Sequence, residues 1–420
     1  MEIDVAKTPV VDVYHMLVGI VTPRPIAWVT TIDVKGRVNL APFSFFNAFG
    51  ANPPIVVFSP TLRRDATKKD TLLNVEATGE FVIHASTAAL AEKINQSSTE
   101  LPPGESEVQI RVRAIALNHI DVWGWRGMAF AQRALPLAVG AEASGEVVSV
   151  GSGVTGFVPG QRVVPYGART CGVCPACREG RDNHCENVAG VAGFHVDGFA
   201  RELANIPARL LVHVPDGLSF EDAACATVTF GTVEHMLFDN AQLKPGETVL
   251  IQAAGSGIGS AAIRIAKAIG CTVIATAGDD EKCAKALALG ADHVVNYTDK
   301  NFSTVARRVT NKRGVDVVFE HVGATTWAGS LLSLRIGGRL VTCGSTSGVS
   351  AETNLMMLFQ RQLRIIGSFG CAMRNVADGL GRMANGIRPV LDTVVPLERF
   401  TEGLERLESR RVFGKIIVTL

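Results

Sequence analysis

The chain has 420 residues, 47% hydrophobic and 19% charged, enough apolar material to bury a large core in two or three domains rather than one. Its 41 basic and 40 acidic side chains leave a formal charge of +1, so no overall field favours a nucleic acid, an anionic membrane surface or a strongly acidic partner. The opening MEIDVAKTPVVDVY lacks a basic start and an apolar run, no later run reaches bilayer length, and the nine cysteines are not spaced as in a secreted protein, so we expect a cytoplasmic protein acting on a small molecule.

From Val21 the sequence VTPRPIAWVTTIDVKGRVNLAPFSFFNAFGANPP reads as short strands with turns at Asp33 to Gly36 and Asn52 to Pro54. With KKDTLLNV and TGEFVIH behind it, this stretch resembles the flavin reductase-like FMN-binding split barrel. The resemblance implies that Thr31, Ser44, Asn47, Lys69, Asp70 and Thr71 lie around an FMN phosphate and ring. A flavin reductase domain would continue for roughly another hundred residues, yet the polar QSSTELPPGESE at 96–107 closes this one. Residues 1–106 are therefore expected to be a partial split β-barrel with open edges, in which FMN binding is the lesser reading.

After Glu107, EVQIRVRAIAL alternates apolar Val108, Ile110 and Val112 with polar neighbours, the period of a half-buried strand. Glycine-punctuated short strands follow, and we assign 107–235 to a β-rich domain that the tail 373–420 rejoins through GKIIVTL. Within it Cys171, Cys174, Cys177 and Cys185 crowd into ARTCGVCPACREGRDNHC, a spacing that suits a closed, all-cysteine zinc site. Such a shell has no open position, so the zinc is expected to be structural, clamping its own loop far from any chemistry. Free thiols or disulfides are the competing reading of the four. The other five cysteines lack ligand spacing and read as buried thiols.

From Pro245 the pattern becomes apolar runs alternating with helical periods, the mark of a doubly wound parallel sheet, which we assign to 236–372. The first run, TVLIQA, leads into Ala254-Gly255-Ser256-Gly257-Ile258-Gly259 and an amphipathic helix, so Gly255, Ser256, Gly257, Ile258 and Gly259 are candidates to receive a dinucleotide pyrophosphate at a helix N-terminus. After the second run, where an acid would accept from the ribose hydroxyls of NAD, stand Ala277 and Gly278. Gly278 leaves room for a 2′-phosphate, and Lys282 and Tyr297 offer charge and a hydroxyl. NADPH is expected over NADH, with Asp279 and Asp280 as the opposing charges.

The four-cysteine lobe, AGSGIG after a buried strand, ALNHIDV and PLAVGAEASGEVVSVGSGV together resemble the medium-chain dehydrogenase/reductase superfamily, which joins a GroES-like catalytic domain to a Rossmann domain. Zinc alcohol dehydrogenases of that superfamily hold a second, catalytic zinc through Cys, His and Cys. At the matching positions stand Asn118, Ala141 and Val228, and Ile120 replaces the hydroxyl of their proton relay. What remains resembles the quinone oxidoreductase and enoyl reductase branch. By that resemblance Asn118 and Asp121 are candidate catalytic residues, Thr232 packs near the nicotinamide, and Trp123, Trp125, Met128 and Phe130 are candidates for an apolar pocket. The expected function is NADPH-dependent reduction of a quinone or an α,β-unsaturated carbonyl without a catalytic metal. A zinc alcohol dehydrogenase and a catalytically impaired NADPH-binding protein are the alternatives, and the resemblance implies a homodimer.

Overall fold

The computed structural model describes residues 25–62, 67–87, 90, 94, 107–127, 136–151 and 154–420. The chain divides into two compact units, Met1–Ser106 and Glu107–Leu420.

In the first unit the strands are β1 (Ala27–Ile32), β2 (Val38–Phe43), β3 (Phe46–Ala51) and β4 (Pro54–Phe58), followed by helix α1 (Asp70–Thr78) and β5 (Val82–Ala85). β1 lies between β2 and β5, antiparallel to both, while β3 and β4 form a separate ribbon. Alternation in β1 buries Ala27, Val29 and Thr31, and the resulting core is small. Asn74 Nδ2 donates to Thr31 Oγ1 at 3.1 Å and Asn39 Nδ2 to Thr71 Oγ1 at 2.8 Å, so these two buried hydroxyls tie α1 to the sheet. The sequence had offered both to FMN; the fold uses them internally. Phe49, Val56 and Val57 of the ribbon stay exposed. Purified protein is accordingly expected to be colourless; a yellow preparation that releases flavin on denaturation would overturn that expectation.

The second unit begins with β6 (Glu107–Ala116), α2 (His119–Arg126), β7 (Ala143–Val150), β8 (Arg162–Pro165), β9 (Leu203–Pro207) and β10 (Leu211–His213). A continuous helical segment, 220–240, in which α and π spacing alternate, then leads into a second sheet. That sheet and its helices are β11 (Thr248–Ile251), α3 (Gly257–Ala268), β12 (Thr272–Ala277), α4 (Asp280–Ala288), β13 (His293–Asn296), α5 (Phe302–Val309), β14 (Val315–Glu320), α6 (Ala324–Ser333), β15 (Leu334–Thr342), α7 (Leu355–Gln360) and β16 (Arg364–Gly367). The chain ends with α8 (Met373–Ala384), β17 (Leu391–Pro396), α9 (Phe400–Glu408) and β18 (Lys415–Thr419).

The strand order β13-β12-β11-β14-β15-β16, all parallel, is the doubly wound Rossmann order, whose direction reverses between β11 and β14. β11 and β14 are almost wholly buried because helices cover both faces, which is why their sequences are continuous apolar runs. The other sheet runs β10-β8-β7-β6-β18-β17, with β9 also on β6. β17 and β18 thus carry the C-terminus back into the GroES-like sheet, placing GKIIV beside Leu117 and Asn118. Among the described residues no helix is long and apolar enough to cross a membrane.

Candidate active site

A cleft of about 670 Å³ opens between the two sheets of the second unit, at the carboxyl ends of β11, β12 and β14. That is where an open α/β sheet binds ligands. Its floor is the turn from β11 to α3. Ser256 caps α3, its hydroxyl accepting from Gly259 N at 2.9 Å, which leaves the other first-turn N–H groups free to face an anion. A side chain at Gly259 would meet Ala253 O at 2.4 Å, and one at Gly257 would meet Lys415 Cδ at 2.5 Å. At Gly259 the strand backbone leaves no room for a side chain, whereas at Gly257 the space is taken by the Lys415 side chain.

At the adenosine end of the cleft, a Cβ on Gly278 would sit 2.7 Å from the Tyr297 hydroxyl, so the glycine keeps open a niche beside that hydroxyl. Lys282 Nζ donates to Arg410 O at 2.8 Å and stays in the wall, with Arg410 next to it. Of the two acids suspected of opposing a phosphate, Asp279 stays beside Lys282, its Oδ2 3.9 Å from the ammonium, while Asp280 is tied to β13. Asp279 caps α4 by accepting from Lys282 N at 2.7 Å, and Asp280 accepts from Asn296 Nδ2 at 2.9 Å.

The residues at the positions of a catalytic zinc shell, Asn118, Ala141 and Val228, do meet at one place in the cleft wall. An amide, a methyl and an isopropyl group cannot hold zinc. Their neighbour is Lys415, a buried ammonium whose three N–H donors go to Leu117 O at 2.8 Å, Asn118 Oδ1 at 2.8 Å and Glu142 Oε2 at 3.2 Å. Glu142, fully buried, also accepts from Val228 N at 2.6 Å, Thr229 N at 2.8 Å, Thr229 Oγ1 at 3.0 Å and Asn118 Nδ2 at 3.1 Å. The remaining Asn118 donor goes to Ala116 O at 2.9 Å. This is a closed network in which every donor of Lys415 and Asn118 is spent.

Asp121, expected to be catalytic, does not face the cleft. It is 1% exposed and accepts from Asn118 N at 2.8 Å and Ala141 N at 3.1 Å, so it fixes the backbone that carries the network. Burial raises its pKa to about 6, opposed chiefly by the Asn118 N–H. His119, one residue from Asn118 and in the cleft wall, moves the opposite way: burial, and then the charges of His321, Arg410 and Lys415, lower it to about 4. A histidine depressed in the folded state costs stability as pH falls from 6.5 toward 4, because only the unfolded chain takes the proton there. Asp121 has the reverse sign between about 6 and 3.8 and masks part of that loss. His119→Gln is thus expected to gain stability relative to the parent as the pH is lowered; melting temperatures that shift equally at neutral and acid pH would refute this.

The four cysteine sulfurs lie within 4.8 Å of one another, and Cys171 Sγ is 4.0 Å from Cys177 Sγ. A zinc tetrahedron with bonds near 2.3 Å has an edge of about 3.8 Å, so the donor set fits one zinc. Backbone N–H groups of Val173 and Cys174 hold the Cys171 thiol down at about 6, while burial pushes the Cys177 thiol up to about 12. The lobe is not remote, contrary to its sequence-based reading, because Cys185, Val188, Ala189 and Gly190 form part of the cleft wall. It also clasps the segments where the chain passes between the two sheets. Asn183 Nδ2 donates to Phe369 O and to His235 Nε2, each at 3.1 Å, and Asp182 accepts from Met373 N at 3.1 Å. His235 is in turn held by Asp239 at 2.8 Å.

Of the remaining sequence candidates, Thr232, Gly255, Ser256, Gly257 and Ile258 line the cleft, as do Gly278, Lys282 and Tyr297. Gly259 lies behind the wall, where it seats the helix. Trp123 faces the cleft, while Trp125 turns outward under the Arg126 guanidinium, 4.0 Å from its ring centroid. Met128 and Phe130 lie outside the described residues. Sequence reasoning missed Lys415, His119, His321 and Arg410. Lys415 had a signal, as a lone lysine in the otherwise apolar strand GKIIVTL is costly unless it is paired.

The family model for zinc-binding dehydrogenases matches residues 257–385, that for the alcohol dehydrogenase GroES-like domain 104–216, and that for the flavin reductase like domain 20–119. The second unit is similar to the acryloyl-coenzyme A reductase of Metallosphaera sedula, 34% identical over 319 residues that span 76% of this chain and 93% of that protein. It is also similar to the quinone oxidoreductase of Pseudomonas aeruginosa, 34% identical over 263 residues, or 62% of this chain and 71% of that one. Among solved structures, an NAD-dependent alcohol dehydrogenase superposes with a TM-score of 0.72 at 41% identity, covering 77% of this chain and 94% of the other.

Proposed function

Because this chain belongs to the medium-chain dehydrogenase/reductase superfamily and is an NAD(P)H-dependent oxidoreductase, we propose that it reduces a quinone or an α,β-unsaturated carbonyl with NADPH, using no catalytic metal and one structural zinc. One observation carries this reading. Where a metal would activate an alcohol stand Asn118, Ala141 and Val228, and the one cation bonded there, Lys415, has its donors committed to Leu117, Asn118 and Glu142. With neither a Lewis acid nor a free donor at that point, the acceptor must bring its own polarisation, as a quinone or a conjugated carbonyl does. The relatives named for acryloyl-coenzyme A and quinone are in keeping with this.

In that role the α3 N-terminus receives the pyrophosphate, and Gly278, Tyr297 and Lys282 receive the 2′-phosphate. Thr232 and Asn118 border the nicotinamide, and Trp123 and Val228 give the acceptor an apolar seat that excludes water. The bound dinucleotide would supply the hydride, which the protein aligns with the acceptor, and the proton that completes the reduction would come from solvent as the product leaves the cleft. Asp121 is a positioning residue for the Asn118 backbone.

An oxidation screen of NADPH and NADH against quinones, enones, enoyl thioesters and simple aldehydes, with zinc counted on the same preparation, tests the proposal. Turnover of conjugated acceptors with one zinc per chain supports it. Ethanol oxidation with two zincs per chain would replace it by the alcohol dehydrogenase reading, and tight NADPH binding with no turnover by the impaired-enzyme reading. For the cofactor, Lys282→Ala is expected to weaken NADPH about ten-fold or more, the worth of a charge-assisted hydrogen bond, and to leave NADH nearly unchanged. Equal losses for both would show that Lys282 does not read the phosphate. The homodimer is supported by β16, a sheet edge with a partner on one side only, beside exposed Phe359 and Phe369.

A further inference from the structure

Opposite the cleft, at the amino ends of β14 and β15, a second cavity of about 460 Å³ is lined by Arg307, Lys312, Arg313, Arg335, Arg361 and one apolar residue, Ile336. It shares no residue with the cleft. Arg307 comes from the last turn of α5, Lys312 and Arg313 from the loop after it, Arg335 from β15, and Arg361 from the turn before β16. Five cations therefore converge in a chain whose net charge is only +1.

Acids do not balance them. Asp316 is the carboxylate bonded to this rim, taking Arg313 at 2.6 Å and Arg335 at 2.5 Å, and its second oxygen also accepts from Thr248 N at 2.9 Å. Glu247 is bonded to Arg339 instead, at 2.5 Å. Arg307 and Arg361 bond only backbone carbonyls, those of Lys312 and Leu334. Lys312 is held in the left-handed region, φ +65°, directly after Asn311 at φ +49°. The turn they make brings the loop to the cavity rim. None of the guanidinium groups has more than two of its five N–H donors committed. Burial and the charge of Arg307 both lower the pKa of Arg361, the mark of cations crowded without a counter-charge.

We propose that this cavity is a second ligand site, which takes a compact polyanion carrying adjacent phosphate groups, a diphosphate in the first instance. Forked guanidinium donors approaching from α5, the loop after it, β15 and the turn before β16 match the oxygens of adjacent phosphates. The shared chemistry comes from two sources, free inorganic pyrophosphate or the diphosphate arm of a nucleotide.

The test uses the full chain with its cleft saturated by NADP, so that a diphosphate cannot report through the glycine turn. Pyrophosphate, ADP and sulfate are titrated calorimetrically at about 0.15 M salt, where nonspecific surface attraction is largely screened. Saturable binding of one pyrophosphate or ADP per chain, well ahead of sulfate, is expected, and the tighter of the two identifies the source. Lys312→Ala with Arg361→Gln should weaken it at least about ten-fold while NADP binding is kept. Lys312→Ala alone, at an exposed loop position, should give a smaller loss in the same direction and serves if the double variant does not fold. Absence of binding at millimolar ligand, or equal weakening by the distant surface pair Lys285→Ala and Lys300→Ala, would overturn the assignment.

Discussion

Lys415→Met is expected to lower the stability of the second unit by about 3–5 kcal/mol, the cost of leaving a buried charge without its partner. Glu142 is fully buried and keeps its contacts to Val228, Thr229 and Asn118, but these are neutral donors, and the only full positive charge bonded to it is Lys415. The loss should be largely reversed in Glu142→Gln with Lys415→Met, since a neutral pair of similar shape needs no counter-ion. Denaturant unfolding of the parent, both single variants and the double variant gives the coupling directly. A single variant within about 0.5 kcal/mol of the parent would mean that the ion pair is incidental. The same substitution should also weaken NADPH, because Asn118, which borders the cleft, loses the donor that fixes its amide.

If the four cysteines hold the proposed zinc, removing it by chelation or through Cys174→Ser is expected to be the second large effect. Structural zinc sites in small modules contribute on the order of 10 kcal/mol to the fold they hold, and here the held segment is also cleft wall. Without the metal, Asp182 and Asn183 lose the scaffold that aims them at Met373, Phe369 and His235. The expected outcome is a lower melting temperature together with a rise in KM for the acceptor of about ten-fold or more, while the NADPH dissociation constant moves much less because the glycine turn stands on β11. Zinc-free protein with an unaltered KM would show that the lobe only decorates the surface.

How far the sequence led can be judged residue by residue. TVLIQA running into AGSGIG announced β11, the turn and α3, since burial on both sheet faces enforces an apolar run and close packing enforces glycine. The four cysteines announced their own cluster, because ligand spacing is local. Asn118, Ala141 and Val228 could be placed together only through the family resemblance, as 110 residues separate the first from the last. Lys415 was out of reach in a stronger sense. Its partners Asn118 and Glu142 lie about three hundred residues upstream, and only the antiparallel pairing of β18 with β6 brings them within bonding distance. Asp121 misled for a related reason: an acid next to a candidate catalytic amide looks the same in sequence whether it faces a ligand or caps its own helix.

The committed lysine has a consequence for anyone wishing to build a metal site here. Grafting cysteine, histidine and cysteine onto positions 118, 141 and 228 would supply ligands, but it would also remove the Asn118 amide that accepts from Lys415 and donates to Glu142, so the buried ion pair would need new partners at the same time.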